Sequence, residues 1–145
     1  MIITVIQARL GSTRLPGKIL KEVDGVPLLK YMIDRVKYSK LIDKIVIATT
    51  VDKRDNPIEE FCEKYNIEFY RGSENDVLDR YYQAAKKYNP QYVVRLTSDC
   101  PLIDPHIIDN TIQLFLDSKV DYASNTAPPE TSKFPDGSDV EVFSF

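Results

Sequence analysis

The sequence carries no excess of positive charge: 19 Lys and Arg stand against 22 Asp and Glu, for a formal net charge of -3. Bulk attraction to nucleic acid or to an acidic membrane is therefore not the organising feature of this chain, although local basic clusters can still hold anions. Cysteine is scarce, and the two present, Cys62 and Cys100, have neither metal-ligand spacing nor a disulfide framework. His106 is the sole histidine, so a Ser-His-Asp hydrolase has no constellation to draw on, and a place just inside a predicted helix gives it a surface role. No apolar run reaches membrane-span length, and the first seven residues lack the basic start and cleavage pattern of a secretory leader. The expectation is a soluble, cytoplasmic protein with no nucleic-acid or membrane partner. Its 145 residues fit one domain, 1–145.

What is present is an alternation of two periodicities. Ile2, Ile3, Val5 and Ile6 form a dense branched-apolar opening of the kind a strand covered on both faces requires. Similar short segments recur at 44–48, 67–70, 92–96 and 120–123, with a further strand predicted at 140–143. Between them the apolar residues return at helical spacing: Leu28, Leu29, Met32, Ile33 and Val36, then Ile58, Phe61, Cys62 and Tyr65. A third stripe comprises Val77, Leu78, Tyr81, Ala84, Ala85 and Tyr88, and a fourth Ile108, Thr111, Ile112 and Phe115. Pro27 suits a first helical turn, Asn56 precedes Pro57 as a cap with Glu59 as returning carboxylate, Ser73 stands at capping-box distance from Asp76, and Asp104 precedes Pro105. Strand-helix alternation predicts an α/β fold, a three-layer and mostly parallel sheet. Residues 125–137, with three prolines and a terminal glycine, read as a long loop. The sequence ends directly after the last predicted strand, so a continuation is expected.

The chemistry concentrates after the first strand. Residues 8–18 read Ala-Arg-Leu-Gly-Ser-Thr-Arg-Leu-Pro-Gly-Lys. Gly11 and Gly17 permit close backbone approach, Ser12 and Thr13 supply short donors, and Arg9, Arg14 and Lys18 supply positive charge, which together suit a polyphosphate. Five residues separate Gly11 from Gly17, and Ile19 follows Lys18, so neither the spacing nor the hydroxyl of a Walker A loop is met; a GxGxxG fingerprint is also missing. Placement directly beyond a strand favours a ligand site over a merely solubilising turn. Asp99, beyond the strand at 92–96 and next to Thr97 and Ser98, has the hard oxygen ligands that Mg2+ prefers. Capping explains Asp104 better than catalysis does, and Arg80 and Asp79 are expected on an exposed helix face.

The 8–18 segment resembles the signature loop of the cytidylyltransferases that make CMP-activated acidic sugars, and the chain is most similar to the branch serving spore coat polysaccharide biosynthesis. Further matches are 48–50 (Ala-Thr-Thr), 71–73 (Arg-Gly-Ser), 95–102 (Arg-Leu-Thr-Ser-Asp-Cys-Pro-Leu) and 135–143 (Pro-Asp-Gly-Ser-Asp-Val-Glu-Val-Phe). The resemblance implies a Rossmann-like nucleotide-diphospho-sugar transferase fold of glycosyltransferase-A type, binding CTP, an acidic sugar and Mg2+. Arg14, Lys18 and Asp99 would be catalytic. Ala8, Arg9, Gly11, Ser12, Thr13, Thr49, Thr50, Arg71 and Ser98 would line the nucleotide site, with Thr49 and Thr50 at the base, and Asp99 and Asp139 would serve the metal. Family members are longer, so this chain corresponds to an amino-terminal portion without the later acceptor-binding and homodimerisation elements. A non-catalytic nucleotide-binding or regulatory domain, or a nucleotide-sugar-dependent glycosyltransferase, accounts for the same residues.

Overall fold

The computed structural model describes residues 1–126 and 134–145. The predicted loop at 125–137 therefore lies largely outside the described residues.

The chain runs β1 (Ile2–Gln7), β2 (Glu22–Val23), β3 (Val26–Pro27), α1 (Leu28–Val36), β4 (Lys44–Thr50), α2 (Asn56–Lys64), β5 (Glu68–Gly72), α3 (Val77–Lys86), β6 (Tyr92–Thr97), α4 (Pro105–Ser118), β7 (Tyr122–Ser124) and β8 (Glu141–Ser144). Six strands form one sheet in the order β5-β4-β1-β6-β8-β7. The first four are mutually parallel; β8 runs antiparallel to both β6 and β7. The chain moves outward from β1 through β4 to β5 and then returns across β1 to β6. With crossovers of one hand, that reversal sends the helix of the return leg to the opposite face. Buried side chains of α1, α2 and α4 accordingly share a cluster with Ile6, Ile47, Val94 and Leu96. Those of α3 pack with Ile3, Val5, Val46, Ala48 and Val93. The sheet is thus the middle of three layers, as the alternating periodicities predict.

Several local expectations shift. α3 begins at Val77, with Asp76 as its cap, its carboxylate accepting from the Asp79 N–H at 2.8 Å; Ser73 lies outside the helix and caps the turn before it, accepting from the Asp76 N–H at 3.0 Å. Asn56 is the first residue of α2 rather than its cap, because its side-chain oxygen accepts from Arg71 at 2.9 Å; Glu59 is also paired with Arg71. Leu78, which the periodicity puts in the α3 stripe, is 81% exposed, while Arg80, expected outside, is 2% exposed. Gly72 explains how a guanidinium stem fits there. A Cβ on Gly72 would sit 2.9 Å from the Tyr70 ring and 3.1 Å from Arg80 Cγ, so only glycine lets α3 approach β5 this closely. The hairpin of β2 and β3 adds to the expected elements, and it has a local signal. Asp24 (φ 51) and Gly25 (φ 74) both occupy the left-handed region demanded by a two-residue type I′ turn.

Candidate active site

β1 and β6 are the neighbouring strands whose outgoing connections depart in opposite directions, and the crevice beyond their carboxyl ends is where an open α/β sheet receives a ligand. Gln7 stands opposite Thr97 in the ladder, and one further bond, from the Ser98 N–H to the Gln7 carbonyl at 3.2 Å, carries the pairing to the crevice floor. The first loop forms one wall. It is closed on itself by the Leu10 carbonyl, which accepts from the Ser12 and Gly17 N–H groups at 2.9 and 3.1 Å. It is tied to the neighbouring strand end by Asp55. That buried carboxylate accepts from the Leu10 N–H at 2.7 Å and from the Thr50 hydroxyl. Gly17, at φ 68, turns the chain into a short 3-10 turn at Lys18–Leu20, which seats Ile19 in the core and leaves Lys18 facing the crevice.

The resulting crevice has a volume of about 290 Å³. Of the residues predicted from sequence, Ala8, Arg9, Gly11, Ser12, Thr13, Arg14, Lys18, Ser98 and Asp99 line it. Across its mouth Lys18 Nζ donates to the Asp99 carboxylate at 2.7 Å, joining residues 81 positions apart. The Lys18 ammonium holds the Asp99 carboxyl below the usual carboxylate range despite partial burial, so Asp99 is ionised at neutral pH. The turn carrying Asp139 packs against Cys100, the chain neighbour of Asp99, where a Cβ on Gly137 would be 3.8 Å from Cys100 Sγ, but Asp139 itself is not among the residues lining the crevice. Burial pushes the Cys100 thiol up, and the nearby Asp99 and Asp139 carboxylates push it further. Among the described residues no group of three or more His, Cys, Asp or Glu side chains is arranged to hold a metal ion. Asp99, an ionised carboxylate that meets the cationic loop through Lys18, nonetheless fits the Mg2+ habit of taking one or two protein oxygens and completing its shell with water and substrate phosphate.

Thr49, Thr50 and Arg71 are not among the residues lining this crevice. Thr49 and Thr50 are buried at the end of β4. The Arg71 guanidinium is engaged locally, donating to the Thr50 and Asp52 carbonyls at 2.8 and 2.9 Å and pairing with Glu59, which braces the β4–α2 connection. Sequence reasoning passed over Gln7, Val77 and Arg80, all three of which line the crevice. The spacing does contain a signal for Arg80, which stands four residues before Ala84 on the buried face of α3. His106 is exposed, and its N–H donates to the Asp104 cap at 2.8 Å.

A family model described as cytidylyltransferase matches residues 3–135. The spore coat polysaccharide biosynthesis protein SpsF of Bacillus subtilis is 41% identical over 125 residues, covering 83% of this chain and 52% of that protein. The 3-deoxy-manno-octulosonate cytidylyltransferase of Elusimicrobium minutum is 35% identical over 130 residues, 87% of this chain and 51% of the relative. A solved cytidylyltransferase from Leptospira borgpetersenii superposes with a TM-score of 0.90 at 41% identity, covering 99% of this chain and 60% of the other. The chain thus spans about half the length of the curated relatives it matches.

Proposed function

The chain belongs to the cytidylyltransferase family, and from that premise we propose that it is the CTP-binding part of an enzyme that transfers CMP to an acidic sugar and releases pyrophosphate. The observation that carries this reading is the Lys18–Asp99 pair at 2.7 Å across the crevice mouth. It brings the cationic loop after β1 and a metal-competent carboxylate after β6 to the same place. In the free protein the two neutralise each other. With their side chains 30% and 42% exposed, the pair is wet enough to open at little cost. A triphosphate takes up the Lys18 ammonium, and Asp99 is then free for a cation.

In the reaction, a sugar oxygen attacks the α-phosphorus, the bond to the β-phosphate oxygen breaks, and the hydroxyl proton is lost to solvent. Arg14 and Lys18 bear on the charge of the leaving pyrophosphate, and the loop N–H groups and short hydroxyls hold the phosphates in line for attack. Asp99, with Asp139, would hold Mg2+, which supplies charge neutralisation at the phosphates. The acceptor sugar is proposed to be acidic in keeping with the octulosonate named for one relative. Its binding elements, and a homodimer contact, are assigned to the longer protein.

Isothermal titration of the chain with CTP and ATP, with and without Mg2+, tests this reading. Saturable, Mg2+-enhanced binding that favours CTP is expected. A folded sample that binds neither nucleotide would remove the nucleotide role.

A further inference from the structure

Two residues that line the crevice, Arg80 and Gln7, each carry a buried polar atom, Nε and Oε1, that finds no partner among the described residues. Arg80 is 2% exposed, and its NH1 donates to the Ser73 carbonyl at 2.6 Å, which fixes the guanidinium while leaving the Nε–H unanswered. Gln7 continues the alternation of β1 on the face that carries Ile3 and Val5, which is the face α3 covers. Both orphans therefore come from the same layer. Val77, three positions before Arg80 on α3, adds apolar surface to the crevice. Buried donors and acceptors are normally satisfied; Thr4 and Thr49 also carry hydroxyls unpartnered among the described residues, but only Gln7 and Arg80 border a space in which a group could supply the complements.

We propose that Gln7 and Arg80 read the edge of the nucleobase, with an exocyclic amino group donating to Gln7 Oε1 and a ring nitrogen or carbonyl accepting from the Arg80 Nε–H. This assignment rests on the cytidylyl-transfer reading and names the side chains that select cytosine within it. A phosphate is all acceptor: it satisfies Arg80 but is repelled by Gln7 Oε1. Cytosine presents an amino donor beside acceptors and satisfies both atoms as they stand, whereas uracil presents a carbonyl in place of the amino group, which Gln7 meets only by turning its amide over. A site built to hydrogen-bond a particular group rejects the analogue without it, because its own buried atoms then stay unpaired. Arg14, exposed, and Lys18, paired with Asp99 at the crevice mouth, serve the phosphates.

The experiment titrates the 145-residue chain and its Gln7→Met and Arg80→Met variants with CTP, UTP and inorganic tripolyphosphate, and records thermal unfolding of each without ligand. CTP affinity should fall about tenfold or more in both variants, with tripolyphosphate affinity changed by less than about twofold. In Gln7→Met the preference for CTP over UTP should narrow. Replacing an incompletely bonded buried cation by a similar-length apolar side chain should leave the unfolding temperature unchanged or raised, whereas a purely structural Arg80 predicts a lower one. Should Arg80→Met fail to fold, Gln7→Met decides through its CTP-to-UTP ratio. Unaltered CTP affinity in a folded variant, or an equal loss for tripolyphosphate, overturns the assignment while leaving the cytidylyl reading intact. Failure of the unsubstituted chain to bind CTP overturns that reading and this one with it.

Discussion

Lys18 and Asp99 each carry an opposite charge to the same crevice, and each has a separable consequence when removed. Lys18→Ala and Arg14→Ala delete phosphate donors but no part of the base contact. They should weaken CTP binding by ~1.5–3 kcal/mol, reduced by solvent exposure, and leave cytidine binding unchanged. Asp99→Asn keeps size and one oxygen but loses the anionic ligand. CTP affinity should then cease to depend on Mg2+ while metal-free affinity holds or rises, since Lys18 is released from its pair. Titrations of CTP and cytidine with and without Mg2+ check both, and equal CTP affinity in Lys18→Ala and the parent protein would refute the phosphate contact. These residues are legible in sequence because charge and glycine content mark a loop without regard to depth. Arg80 is not legible in that way. Its burial depends on Gly72 admitting α3 close to β5, a contact between residues of different elements.

Helix entry points are local, and α4 shows how far local chemistry reaches. The Asp104 carboxylate accepts from the His106 N–H at 2.8 Å, Pro105 occupies the first turn, and Ile108, Thr111, Ile112 and Phe115 face the core, all as the spacing predicts. Asp104→Ala should therefore cost about 1 kcal/mol, read as a lower urea midpoint, with CTP affinity unchanged because the α4 terminus is outside the crevice. A loss of CTP binding in a folded Asp104→Ala protein would instead make this carboxylate part of the site. α2 shows the opposite case. Asn56 has the composition of a cap, but Arg71, from a strand fifteen residues on, takes its side-chain oxygen. Short-range preference of about 1 kcal/mol yields readily to a charged hydrogen-bond partner from elsewhere.

At the scale of the whole molecule, several carboxylates are held ionised by partners from distant or neighbouring segments. Arg54 hydrogen bonds bring Asp52 down to about 2, a Tyr88 hydrogen bond with Lys44 nearby lowers Glu68, and Lys18 lowers Asp99. Each holds its proton less tightly folded than unfolded. Its contribution to stability is therefore complete above the unfolded value of about 4 and is lost as pH falls through the folded value. Urea midpoints should be nearly constant from about pH 7 to about pH 5 and decline below about pH 4; an unchanged midpoint at about pH 2.5 would contradict these pairings. The sequence alone determined the alternation of elements, the three layers, the cationic loop after β1 and the aspartate after β6, because periodicity, caps and residue chemistry are properties of neighbours in the chain. Tertiary structure decided that this loop and Asp99 meet at the reversal between β1 and β6. It also turned Arg71 into a brace for the β4–α2 connection and set Arg80 and Gln7 unsatisfied in the crevice. Those outcomes depend on strand order and on how closely α3 packs against the sheet. Both are fixed by contacts between distant residues, which no local pattern encodes.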